Sequence, residues 1–188
     1  MAYAYNHIFG NYFDSRVYVL SNCTIAYNII STSSNYGLQE NGSRYIIVQN
    51  NSFLNTGSAS YGIIMSITNN FMSRCIINNV IEGFTTGGII WRGSSETIQG
   101  IYANNSFYNC GTSEVNKTDV KFVTDEGNET LGESPFNKNG VNNYANRFTY
   151  FHPKNIETVA RGGWPDNTMF RGAVPYAPQQ TAHIGIGF

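Results

Sequence analysis

Charge is scarce in this sequence. Asp, Glu, Lys and Arg make up 12% of its 188 residues, roughly half the share usual in soluble domains. Eleven basic and twelve acidic residues leave a net charge of −1, and no run of Lys or Arg occurs. A phosphate backbone is bound mainly through clustered cations, so nucleic acid is not an expected partner. Proline is absent before Pro135, which leaves the first two thirds of the chain open to uninterrupted strands. No apolar run reaches about 18 residues, so no membrane span is expected. The opening Met1-Ala2-Tyr3-Ala4-Tyr5 lacks the basic start and apolar core of a signal peptide. The three cysteines, Cys23, Cys75 and Cys110, show no C-x-x-C spacing, and His7, His152 and His183 are scattered. Buried thiols are expected, with no metal and no cofactor.

Aromatics reach 14%, and Asn, Ser, Thr and Gly fill much of the rest. Within that composition one pattern returns: an aliphatic, two residues, Asn, one residue, then Phe or Ile. Cys75-Ile76-Ile77-Asn78-Asn79-Val80-Ile81 carries it, as do Ile8 to Phe13, Ile25 to Ile30, Val48 to Phe53 and, with an aromatic first, Tyr102 to Phe107. The asparagines Asn11, Asn28, Asn51, Asn79 and Asn105 stand 17, 23, 28 and 26 residues apart. Such irregular steps suit a solenoid whose coils share short strands and differ in their loops. The residues three before and two after each Asn then stack into apolar columns. The Asn falls where the apolar phase slips, which marks a bend; its amide can reach the next rung and build a ladder, and Asn tolerates the left-handed conformation a bend needs. A second motif, Tyr36-Gly37-Leu38-Gln39, Tyr61-Gly62-Ile63-Ile64 and Gly87-Gly88-Ile89-Ile90, precedes an Asn motif each time.

These two motifs in fixed order resemble the right-handed parallel β-helix family, the fold of pectate lyases and of many bacteriophage tailspikes. The resemblance covers roughly residues 1 to 110 and transfers no catalytic signature. It implies an all-β chain: a right-handed parallel β-helix of about five to six coils over 1–110, a long acidic excursion and possible last coil over 111–151, and an irregular cap or trimerisation segment over 152–188. A rung at the very start, with no cap before it, gives the expectation of a natural chain extending N-terminally.

Facing is argued from cost. If Leu38 points inward so does Glu40, and an unpaired buried carboxylate costs several kcal/mol. The other phase is therefore expected, with Val17, Val19, Ile64 and Ile90 inside. Arg16 to Leu20 aligned with the Tyr-Gly strands then puts Tyr18, Leu38, Ile63 and Ile89 outside as an apolar stripe, a subunit interface of the kind found in a homotrimer.

Carboxylate catalysis needs two acids within about 10 Å. Asp14 and Glu82 share a column but lie three rungs apart, about 14 Å at the rung spacing. Glu40 with Glu96 is the catalytic pair left. For sugar binding without cleavage, Trp91 and Arg92 with Gln39 form one candidate patch, and Glu82 with Tyr108 a second. The acidic Asp125-Glu126-Gly127-Asn128-Glu129 does not fit calcium-loop spacing and reads as solvated. Asn146-Arg147-Phe148 reads as a weak sixth rung. The resemblance thus implies the C-terminal part of a trimeric phage tailspike or tail appendage in the virion tail, a receptor-binding protein for host adhesion through a bacterial surface polysaccharide. The alternatives are a polysaccharide hydrolase or lyase on the same fold, or a secreted or cell-surface protein.

Overall fold

The structure, a computed structural model, describes residues 6–20, 22–41, 45–67, 73–93, 96–117, 120–154 and 171–174. Among them seventeen strands succeed one another in a repeating three-part order. The first triplet is β1 (Asn6–Phe9), β2 (Tyr12–Phe13) and β3 (Val17–Val19); the second is β4 (Cys23–Ala26), β5 (Ile29–Thr32) and β6 (Tyr36–Glu40). β7 (Tyr45–Gln49), β8 (Ser52–Asn55) and β9 (Tyr61–Ile67) follow, then β10 (Ser73–Ile77), β11 (Val80–Glu82) and β12 (Gly87–Gly93). The series ends with β13 (Glu96–Ala103), β14 (Ser106–Tyr108), β15 (Glu114–Val115), β16 (Val120–Glu126) and β17 (Glu129–Thr130). Each strand pairs in parallel with the strand three places on, giving three sheets of six, six and five strands. The chain is a parallel β-solenoid of about four turns. That differs slightly from the five to six coils expected, and the end strands β2, β15 and β17 are short, with two residues each. No helix among the described residues is long and apolar enough to cross a membrane.

The corner between the first and second sheets explains the Asn motif. Asn11 donates from its backbone and side-chain nitrogens to Asn28 Oδ1, and Asn28 does the same to Asn51, Asn51 to Asn79, and Asn79 to Asn105, all between 2.9 and 3.1 Å. Each of these side-chain amides from Asn28 to Asn105 also donates to the carbonyl two residues before it and to one in the preceding turn. The buried amide is thereby satisfied, which matters because an orphaned polar group inside costs about 1–3 kcal/mol. The left-handed residue is the one before the ladder Asn: Gly10, Tyr27, Asn50, Asn78, Asn104 and Gly127, with φ between 49° and 66°. The bend and the ladder are thus held by two neighbouring residues, where one Asn was expected to do both.

The ladder has a sixth rung. Asn105 donates to Asn128 Oδ1 at 3.0 and 2.8 Å. The solenoid therefore runs to Thr130, past the boundary at 110, and the acidic excursion contains its last turn. Asn146 is no rung; Arg147–Tyr150 forms a single helical turn, α1.

First-sheet residues Ile8, Ile25, Val48, Ile76 and Tyr102 stack in register, as do second-sheet residues Phe13, Ile30, Phe53, Ile81 and Phe107. They share one apolar core with Val17, Val19, Leu38, Ile63, Met65, Ile89 and Trp91 of the third sheet. Leu38, Ile63 and Ile89 are thus core residues, and the expected exposed stripe does not exist; of its four members only Tyr18 is exposed. Val17 pairs with Leu38 and Val19 with Glu40, one residue from the expected alignment, and a one-residue slip exchanges every face of a strand. The slip arises at glycine. A Cβ at Gly37 would meet Gly62 O at 2.7 Å and Phe53 at 3.0 Å; one at Gly62 would meet Gly88 O and Ile81, both at 2.6 Å. These glycines already face the core, and the next residue faces it too, so the alternation skips a step in the strands that have the Tyr-Gly or Gly-Gly motif and not in β3.

Candidate functional site

Glu40 is inside after all, and paired. Its carboxylate lies 3.3 Å from the Arg74 guanidinium, both side chains fully buried, and accepts the Ser66 backbone N–H at 3.0 Å. Arg74 also donates to the carbonyls of Ser66 and Ser73. Burial pushes the Arg74 guanidinium below its ordinary value, and the Glu40 charge opposes that. The cost that argued against an inward Glu40 applies to an unpaired carboxylate, and Arg74 comes from another wall of the solenoid, the first sheet, where its sequence position gave no hint of the pairing. A carboxylate so enclosed has no open face for a sugar. Glu96 begins β13 in the first sheet, whereas Glu40 ends β6 in the third; the side chain of Glu96 lies outside the described residues. Trp91 is likewise a core residue, 1% exposed, edge-on to Tyr102 and Phe122 with centroids 5.7 and 5.0 Å away. It is no sugar platform.

The second predicted patch is covered by the chain itself. Ile29, Leu54 and Val80 on the outer face of the second sheet form a cluster with Phe136, Phe151 and Val174. Glu82, 3% exposed, pairs with Lys138 and accepts from Ser134 Oγ at 2.9 Å. Tyr12 donates to Asn142, which in turn donates to Ser31. Tyr108 stands beside Glu82 in register, half-buried. Much of the segment expected to form a loose excursion is therefore a lid on this sheet. Of the expected terminal segment, 155–170 and 175–188 lie outside the described residues.

Gln39 and Arg92 remain, and the outer face of the third sheet brings them together. They line a groove of about 250 Å³ with Asn35, Tyr36, Ser60, Tyr61 and Ile64. Tyr36 and Tyr61 are register partners on adjacent turns, so their backbones stand about one rung apart, roughly 4.8 Å. Arg16 lies over the Tyr36 ring at 5.3 Å from its centroid, and Arg92 over the Tyr61 ring at 5.9 Å, each within reach of a cation–π contact. Tyr18, in register with Gln39, extends the same face and accepts a hydrogen bond from Asn41. The tyrosines were legible in the sequence as members of the Tyr-Gly motif; strict alternation puts each on one face with the Leu or Ile two residues on, whereas here Tyr36 and Tyr61 line the outer groove and Leu38 and Ile63 the core. Aromatic faces beside amide, hydroxyl and guanidinium donors can hold a polyhydroxylated ligand, because the ring covers the C–H face of a sugar while the planar groups bond its hydroxyls.

The far end of the solenoid is polar. Asp125, Thr130 and Glu114 stand in register with Tyr102, Phe107 and Ile89. Lys117 bridges Glu114 and Asp125 at 3.0 and 2.9 Å, and Tyr102 donates to Glu114 at 2.6 Å. This network closes the apolar columns against solvent, which a solenoid end requires. Among the described residues no group of three His, Cys, Asp or Glu is placed to hold a metal. No protein-family description, no curated protein and no solved structure matches the chain.

Proposed function

We propose that the chain is a rigid recognition element that holds a bacterial surface polysaccharide in the third-sheet groove, as part of a bacteriophage tail appendage. The observation that carries the binding reading is the pair Tyr36 and Tyr61, in register on adjacent turns, each with a guanidinium over its ring and with Gln39 beside them. A solenoid suits the task, since parallel hydrogen bonding along its length keeps such a row of side chains at fixed spacing. The placement in a virion tail rests on the resemblance of the repeat pattern, and a fold hosts many functions. A trimer belongs to the proposal on the same footing, with the exposed Tyr18 and Leu20 as its apolar support.

Polysaccharides purified from bacterial surfaces, immobilised as an array, test the binding reading. Tyr61→Ala is expected to weaken capture at least about tenfold, roughly 1.4 kcal/mol, without moving the urea midpoint. Equal capture by the variant, or no capture by the native chain, ends this reading of the groove.

A further inference from the structure

We infer that the polysaccharide held in the groove is acidic, with a carboxylate seated on Arg92; this rests on the glycan reading above and adds the charge of the ligand. Most described cations already have an anion. Arg74, Lys117, Lys138, Lys154 and Arg171 each lie within 4.0 Å of a carboxylate. Arg16, Arg92, Lys121 and Arg147 do not, among the described residues, and of these four Arg16 and Arg92 lie over the tyrosines of the groove face. The groove lining, from Asn35 to Arg92, contains no Asp or Glu. In a chain with only eleven basic residues, two guanidiniums flanking one pair of tyrosines without a countercharge make a locally positive surface on a molecule of net charge −1.

The geometry also leaves the guanidinium able to act. A cation over a ring face uses its π surface, and at 5.9 Å from the Tyr61 centroid the Arg92 head keeps the fork of N–H donors along its edge. That planar fork matches a carboxylate with two parallel hydrogen bonds. A sugar stacked on Tyr61 would carry its ring carboxyl toward Arg92, with Gln39 and Ser60 left for hydroxyls. Arg16 over Tyr36 repeats the arrangement on the neighbouring side, so two acidic residues of one chain could be held at once. A neutral sugar would gain the stacking and leave both cations solvated.

The test uses the full chain and the same array, each uronic-acid polymer present in native form and after reduction of its carboxyls to alcohols. Native acidic polymers are expected to bind, and their reduced forms to bind at least about tenfold more weakly, the order of one charge-assisted pair. Arg92→Gln is expected to lose the same factor on the native polymer and little on the reduced one, with an unchanged urea midpoint. Capture should also weaken as salt rises from about 0.05 to 0.5 M, because exposed charges are screened. Binding that survives carboxyl reduction, or neutral polymers that bind as tightly, overturns the acidic ligand and leaves the glycan reading standing. Absence of capture for every polymer removes both.

Discussion

The outer faces of the second and third sheets began as the same problem and were resolved differently. Both present apolar and polar side chains on the outside of the solenoid. Over the second sheet the chain folds back, buries Phe136 and Phe151 against Ile29, Leu54 and Val80, and neutralises Glu82 with Lys138. Over the third sheet Tyr36, Tyr61, Gln39 and Arg92 line an open groove. Where a face is covered from within, its charge and aromatic surface go into stability; where it is open, the same residue types remain available to a ligand. A substitution on the first face should therefore act on folding, and one on the second should act on binding.

Phe151→Ala gives the largest effect expected. The side chain is 1% exposed, and truncating a buried Phe costs about 3–5 kcal/mol; urea denaturation reads it. A small shift in the midpoint would show the covering segment to be loosely held. Arg74→Leu is of similar size, about 3–5 kcal/mol, since it leaves the buried Glu40 carboxylate without its guanidinium. The double variant Glu40→Leu/Arg74→Leu should recover most of that loss, and a double variant as unstable as the single would mean that the loss does not come from a stranded Glu40 charge. Gly62→Ala comes next: its methyl would meet Gly88 O and Ile81 at 2.6 Å, an overpacking cost of about 1–3 kcal/mol. On the open face, Tyr61→Ala and Arg92→Gln should move the midpoint by less than about 0.5 kcal/mol, as surface changes usually do, while lowering capture of polysaccharide.

One modest expected effect has the opposite sign. Tyr27 holds φ 57°, a left-handed conformation that is costly for a large L-residue. Asn serves that place in the next three turns. Tyr27→Asn should raise stability by up to about 1 kcal/mol; a loss would show that its exposed ring makes contacts worth more than the strain. The thiols offer a check on the interior. Burial pushes Cys23 and Cys75 up to about 11, with the Glu40 charge adding to the rise at Cys23 and Arg74 opposing it. Both thiols stay protonated at pH 8, so native-state alkylation should be slow. A raised thiol value also means stability present below the ordinary thiol range and lost as pH climbs from about 9 toward 11. Cys23 is buried and Cys75 half-buried, so a urea midpoint that does not fall over that range would contradict the enclosure of Cys23.

How much the sequence revealed depended on how local the signal was. Asn28, Asn51, Asn79 and Asn105 could be read because one short pattern contains both the apolar columns and the corner. Asn128 escaped, although it serves the same ladder, because Asp125 and Thr130 stand in place of the apolar residues that define the motif. That substitution is itself physical, since the last turn faces solvent at the solenoid end. Leu38, Ile63 and Ile89 were assigned to the wrong face for a different reason. They were placed outside because an inward Leu38 carries Glu40 inward with it, and the partner that makes this tolerable, Arg74, comes from another sheet.

The sequence by itself determined the stacked winding and the first two walls of the core, because a repeated spacing of apolar and amide residues allows few other ways to satisfy both burial and hydrogen bonding. Tertiary structure alone decided which side of the third wall is inside, that Glu40 meets Arg74, that the acidic stretch closes one end, and that a later segment covers the second sheet while the third stays open. Each of those depends on a contact between turns or between distant segments, and a partner 34 or 56 residues away leaves no mark in local spacing.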